Sequence, residues 1–149
     1  MARFILLVLA CLTFGATLVE GGCVYGWHQY GSKCYKYFAK SLTWEQAQSD
    51  CNALNSDLVV INNKQENSFV RKLIVAKSAW IGMKKLSKDS YFSWVGVPNS
   101  CSSYEYFQSG QPNNYGGNQN CVEMLKSSSC WTDRECSTRL CHVCEKRQN

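Results

Sequence analysis

The stretch Thr43-Trp44-Glu45-Gln46-Ala47-Gln48-Ser49-Asp50-Cys51-Asn52-Ala53-Leu54 decides how the chain begins to fold. Thr43 with Gln46 three residues on forms a capping box, in which a hydroxyl and an amide each satisfy one free backbone N–H at a helix start. Behind it Trp44, Ala47, Cys51 and Leu54 recur at offsets of three, seven and ten, the spacing of one helical face. This predicts an amphipathic helix from Thr43 to Leu54 that buries an aromatic ring and a cysteine.

Downstream, Leu58 to Ile61 reads as a short apolar strand. Asn63 with Glu66 then repeats the capping logic ahead of Phe69, Val70, Leu73 and Ile74, giving a second helix from about Lys64 to Ile74. Upstream, Cys23 to Phe38 is rich in aromatics and turns at Gly31 and Ser32, as a hairpin does. Past the second helix the helical period disappears. Short strands are expected at Ala79–Met83, Tyr91–Val95, Cys121–Leu125, Cys130–Thr132 and Leu140–Glu145. The fold class is therefore α+β, with two helices segregated from the strands. Between Gly96 and Asn120 proline, glycine and asparagine dominate, so no regular element is expected there; an irregular segment of that length in a compact domain is usually functional or flexible.

The chain has 149 residues, 45% apolar and 18% charged, enough for one domain with a sizeable core. Its net charge is +5, but the Lys and Arg residues are scattered and no basic run exceeds Lys84-Lys85 in length, so no nucleic-acid stripe is visible. Ten cysteines point to an oxidising compartment. Arg3 followed by the apolar run Phe4–Leu12 and then small residues reads as a signal peptide over residues 1–22, leaving a secreted domain at 23–149 with no membrane span. Cleavage removes Cys11 and leaves nine cysteines, so at least one thiol stays free or bonds another chain. Cys141 and Cys144 have CxxC spacing, with Cys130 and Cys136 upstream as conceivable zinc ligands, but the cysteines spread along the whole chain in the manner of a disulfide framework.

Gly26-Trp27, Cys34-Tyr35, Trp44-x-x-Ala47-x-x-x-Cys51, Trp80-Ile81-Gly82, Gln111-Pro112-Asn113, Cys121-Val122-Glu123, Trp131-x-Asp133 and Val143-Cys144-Glu145, taken together and in this order, resemble the C-type lectin-like domain, as in small secreted single-domain members of the perlucin-like or fish soluble type. The resemblance implies two helices, two small antiparallel sheets and a long irregular ligand loop. It also implies disulfides Cys23–Cys34, Cys51–Cys144 and Cys121–Cys136. Among the extra cysteines, Cys101 with Cys130 would pin the long loop to the strand bearing Trp131, as extra bridges do in antifreeze members. That pairing leaves Cys141 free or available for a disulfide-linked homodimer.

Sugar-binding members hold one Ca²⁺ under the long loop. The motif carries the ligand positions onto Gln111, Asn113, Gln119, Thr132 and Asp133. A hard cation wants several anionic oxygens, whereas here Asp133 is the one carboxylate where the family supplies three, so calcium affinity is expected to be roughly millimolar or absent. Asn114 and Asn120 likewise replace acids of an auxiliary calcium site. In the family the bond preceding Pro112 is cis. Tyr115 stands where galactose-binding members place a ring against the apolar face of the sugar, which favours a galactose-like ligand. The expected carbohydrate-binding residues are Gln111, Asn113, Tyr115, Gln119 and Asp133.

His28 and His142 lie near opposite ends of the mature chain; His142, flanked by Cys141 and Val143 on a strand expected to be central, reads as structural, and no carboxylate pair is laid out for glycoside hydrolysis, so an enzyme is not expected. Trp80, Trp94 and Trp131 read as core. The leading expectation is a secreted lectin that recognises soluble or cell-surface glycans. The alternative is a calcium-independent protein of the same fold that binds a protein, a mineral or an ice surface.

Overall fold

The computed structural model describes residues 22–87, 91–96 and 103–148. The signal peptide expected over residues 1–22, all but Gly22, and Cys101 lie outside these residues. The elements are β1 (His28–Tyr30), β2 (Lys33–Leu42), α1 (Trp44–Asn52), β3 (Asp57–Leu58), α2 (Lys64–Leu73), β4 (Ser78–Lys85), β5 (Phe92–Trp94), β6 (Gln119–Leu125), β7 (Trp131–Glu135) and β8 (Leu140–Arg147), with a 3₁₀ turn at Tyr115–Gly117. The antiparallel ladders β1-β2-β8 and β4-β6-β7 meet where β4 and β8 run parallel, Ala79 against Cys141 and Trp80 against His142. β3 adds to β8 and β5 to β4.

The capping box of α1 is formed as the sequence requires: Gln46 N donates to Thr43 Oγ1 at 3.3 Å and Thr43 N to Gln46 Oε1 at 3.2 Å. Trp44, Ala47 and Cys51 are buried. The helix ends at Asn52, so Leu54 falls beyond it and is exposed, a departure from the expected helical face. Asn63 caps α2 through Glu66 N at 2.8 Å, but Glu66 does not complete a second box. Its carboxylate instead accepts from Asn62 N at 2.8 Å and from the Tyr35 hydroxyl at 2.5 Å, because a buried carboxylate finds stronger donors within reach. The strand expected at Leu58–Ile61 pairs only at its start, while Val59, Val60 and Ile61 fill the main core.

Three disulfides lock this frame: Cys23–Cys34 closes the first hairpin, Cys51–Cys144 ties α1 to β8 and Cys121–Cys136 joins β6 to the end of β7. The second closes a separation of 93 residues, worth on the order of 4 to 5 kcal/mol of unfolded-state entropy in the chain-entropy model. Buried indoles supply further ties, since Trp44 Nε1 donates to Ile81 O and Trp80 Nε1 to Leu42 O, each at 2.9 Å.

Gly82 is required by a close approach. A Cβ there would lie 2.6 Å from Leu58 O, where Gly82 N donates to Val59 O at 2.9 Å. Gly82→Ala therefore forces backbone apart in a packed interior and is expected to lower stability by about 2 kcal/mol or more, read by denaturant unfolding.

At the sheet's other end Lys33 lies 2.9 Å from Glu145 and 3.5 Å from Glu66. Burial pushes the Glu145 carboxyl up to about 7, an effect that Lys33 opposes. A carboxyl raised in the fold binds protons more tightly there than in the unfolded chain, so this group's contribution is fully present below its unfolded value and is lost as pH rises through about 7. Glu145→Gln is expected to match the natural chain in stability near pH 4 and to gain on it by up to about 3 kcal/mol by pH 8. Parallel melting curves across that range would remove the assignment. His142, held low by burial, acts in the opposite direction in both proteins and cancels in the difference.

Candidate functional site

The irregular segment is positioned by Trp131 at the start of β7. Asn67 on α2 accepts from Trp131 Nε1 at 2.8 Å and donates from Nδ2 to Ser129 O at 3.0 Å. The Trp131 backbone receives the loop, with Trp131 N donating to Tyr106 O and Gln108 N to Trp131 O, each at 2.9 Å. Trp94, Tyr104 and Phe107 pack edge-on to the indole at centroid distances of 5.4, 5.7 and 5.8 Å. The chain is thereby delivered to Gln111, whose bond to Pro112 is cis.

From there the loop folds back on Asp133. Its Oδ1 accepts from Asn113 N at 3.1 Å and its Oδ2 from Asn114 N at 2.6 Å. The amides close the remaining turns: Tyr115 N donates to Gln119 Oε1 at 2.8 Å and to Asn113 Oδ1 at 3.0 Å, and Gln119 N to Asn114 Oδ1 at 2.9 Å. Asn114 sits at φ 48°, a left-handed conformation that asparagine tolerates better than most residues. The strand β6 begins at Gln119, so the last two residues of the segment expected to be irregular are already in the sheet.

Gln111, Asn113, Tyr115, Gln119, Thr132 and Asp133 line one polar depression of about 260 Å³. Three further residues, Gln108, Leu125 and Arg134, line it besides those the sequence pointed to. Asp133 is almost fully buried, whereas the Tyr115 ring is 80% exposed. Behind the wall, Glu123 is completely buried, and its Oε1 accepts from Thr132 Oγ1 at 3.1 Å and from Arg134 Nε at 2.8 Å, with Arg134 Nη2 closer still. The signal for Arg134 was Glu123 itself: a carboxylate on a buried strand position demands a cation, and the residue two beyond its cross-strand partner Thr132 is that arginine.

This donor set does not fit Ca²⁺. Asp133 is the sole carboxylate among the five expected ligand positions, both its oxygens accept backbone N–H groups, and a guanidinium stands in the wall. Thr132 turns its hydroxyl inward to Glu123. Of the other acids near in sequence, Glu135 is exposed on β7. Elsewhere among the described residues, the clusters Cys51–His142–Cys144 and Glu45–Cys121–Cys136 each contain a disulfide, which has no thiolate to offer a metal. The conceivable zinc set is broken in the same way, because Cys136 and Cys144 are bridged.

Cys130 and Cys141 carry unbridged thiols and are half-buried. Cys130 sits at the β6–β7 turn; Cys101, expected as its partner, lies outside the described residues. Cys141 is on the central strand β8, packed against the main core. His142 is fully buried with Nε2 3.1 Å from Asp50 Oδ2 and the Phe38 ring stacked on it, a structural setting. Trp80, Trp94 and Trp131 are all core.

Residues 40–146 match the family described as Lectin C-type domain. Perlucin of Haliotis laevigata is 31% identical over 133 residues, covering 85% of this chain and 84% of that protein. Among solved structures, the mouse scavenger receptor C-type lectin carbohydrate-recognition domain superposes with TM-score 0.79 at 28% identity, over 86% of this chain and all of that one. A calcium-independent type II antifreeze protein superposes with TM-score 0.77 at 26% identity, over 86% of this chain and 96% of that one. The chain spans about half the length of several other curated relatives it matches. No helix among the described residues is long and apolar enough to cross a membrane. The family match over most of the length, the three disulfides and the loop folded against β7 lead to one conclusion: the chain belongs to the C-type lectin-like domain family.

Proposed function

We propose that this chain is a secreted lectin that binds glycans through the depression beneath the long loop, without calcium. The observation that carries the reading is the convergence of Gln111, Asn113, Gln119 and Asp133 on one depression whose loop is closed by hydrogen bonds to the Asp133 carboxylate. A sugar hydroxyl needs an acceptor and a donor side by side, and primary amides supply both. The loop is organised before any ligand arrives, so recognition does not have to include the cost of ordering it. The exposed Tyr115 ring at the rim offers a flat surface to the apolar face of a galactose-like sugar, as its position suggested.

A second reading keeps the same surface for a ligand that is not a sugar. The loss of the calcium carboxylates and the likeness to a calcium-independent antifreeze protein favour it. A glycan array run with calcium and again with EDTA separates the two: the lectin reading expects binding, strongest for terminal galactose or its amide derivatives, with equal signal in both. A silent array under both conditions transfers support to the second reading, and signal abolished by EDTA overturns calcium independence.

Tyr115→Ala removes an exposed ring and Gln111→Ala removes one loop hydrogen bond from Asn113 N; each is expected to keep the domain folded by thermal melting and to weaken glycan binding by about tenfold or more, the loss of roughly one good contact. Asp133→Asn faces the Asn113 and Asn114 N–H groups with an amide that cannot accept from both at its two ends. It is expected to cost about 1–3 kcal/mol and to reduce array signal with calcium or without it.

A further inference from the structure

The opposite edge of the sheet carries a feature that sugar binding at the loop does not use. Three ammonium groups from β2 and β8 gather around two aromatic rings, Trp27 just before β1 and Phe38 on β2. Lys36 Nζ lies 5.2 Å and Lys40 Nζ 6.0 Å from the Phe38 ring centroid, and Lys146 Nζ lies 4.6 Å from that of Trp27. The two rings meet edge-to-face at 6.4 Å. Strand alternation explains the grouping: Lys36, Phe38 and Lys40 share one face of β2, and Lys146 on β8 stands opposite Cys34, two residues before Lys36 on that same face. The Cys23–Cys34 disulfide fixes the turn that carries Trp27, and Gly26 brings the backbone against Lys36 Nζ.

Of the three cations, Lys40 is paired, 2.7 Å from Asp50. Neither Lys36 nor Lys146 enters an ion pair with any described residue. The result is a compact patch of uncompensated charge whose ammonium groups are held in place by the rings beneath them. Attraction to an anion here requires little side-chain ordering.

We propose that this patch is a second binding site, for a sulfated polysaccharide. The chemistry of the rings selects among polyanions. Phe38 is covered by lysines and by the stacked His142 ring 5.1 Å away, and Trp27 by Lys146. A nucleic acid gains its sequence-independent affinity in part by stacking bases on bare rings, and a membrane surface gains by inserting them. Phe38 and Trp27 are both covered, and the bare ring beside them, Tyr25, is a single one with no second exposed ring next to it among the described residues on which successive bases could stack. A sulfated polysaccharide needs only a rigid set of cations that meet its anionic groups along an extended chain. Because β1, β2 and β8 lie at the far end of the strand order from β6 and β7, the patch and the depression under the loop can be occupied at once.

The test uses the full chain and immobilised heparin, with Lys36→Gln/Lys146→Gln compared with Lys72→Gln/Lys77→Gln, which removes the same charge from a different surface. The first double variant is expected to bind heparin about tenfold more weakly and to elute at lower salt, while the second and Gln111→Ala behave as the natural chain. Thermal melting of each variant checks that the fold is kept. Equal binding by both double variants overturns the proposal, as does equal loss in both, which would make net charge the cause. Retention on desulfated heparin equal to that on heparin overturns it as well. Single-stranded DNA or phosphatidylserine vesicles bound as tightly as heparin, and through Lys36 and Lys146, would overturn the choice of partner.

Discussion

The Trp131 indole is the constraint on which the rest of the site depends. It is fully buried, and its one polar atom is satisfied by Asn67, a side chain on a helix that never touches the binding surface. Trp94 on β5 and two rings from the irregular segment, Tyr104 and Phe107, close on it edge-to-face, and its own backbone pairs with that segment on both sides. A buried N–H without a partner costs free energy comparable to a lost hydrogen bond, so α2, β7 and the long loop are coupled through this ring. The next two residues, Thr132 and Asp133, then have no freedom in where they point.

Asp133 performs locally what a bound cation would otherwise do. A cation at the centre of a loop gathers oxygen atoms; here a carboxylate at that centre gathers N–H groups. The two schemes are electrostatic inverses and use the loop differently. In the first, side-chain oxygens turn inward; in the second, backbone donors do, and the amides of Gln111, Asn113 and Gln119 settle the turns around them. The Glu123–Arg134 pair behind the wall completes the change, since it brings a positive group to a site that in a metal-binding relative would need to be negative.

Much of the frame was legible in the sequence because short-range rules governed it. The α1 capping box, the cysteine-bearing helical face and the glycine of Trp80-Ile81-Gly82 each depend on spacing or on a close approach. What was not legible depended on partners far away in the chain. Leu54 continues the helical period of α1 perfectly, yet the helix stops before reaching it. Glu66 has the spacing of a capping residue, but Tyr35 and Asn62, brought in by the sheet, offer it better donors. Arg134 acquires its role only through the register of β6 against β7, which sets it beside the buried Glu123 carboxylate. At the site, residue identities predicted which side chains would gather and could not say which backbone groups they would satisfy.

The strand order also governs when the domain can form during synthesis. β8, the latest of these elements to leave the ribosome, is also the one that β2, β3 and β4 all need as a neighbour. Before it emerges, the two ladders have no shared seam and Cys51 has no partner. Contacts of such long sequence separation form late and slowly. The central seam of the sheet therefore closes only once β8 is available, and a chain that stalls before Leu140 presents quality-control machinery with an unfinished sheet in which Cys51 lacks its partner.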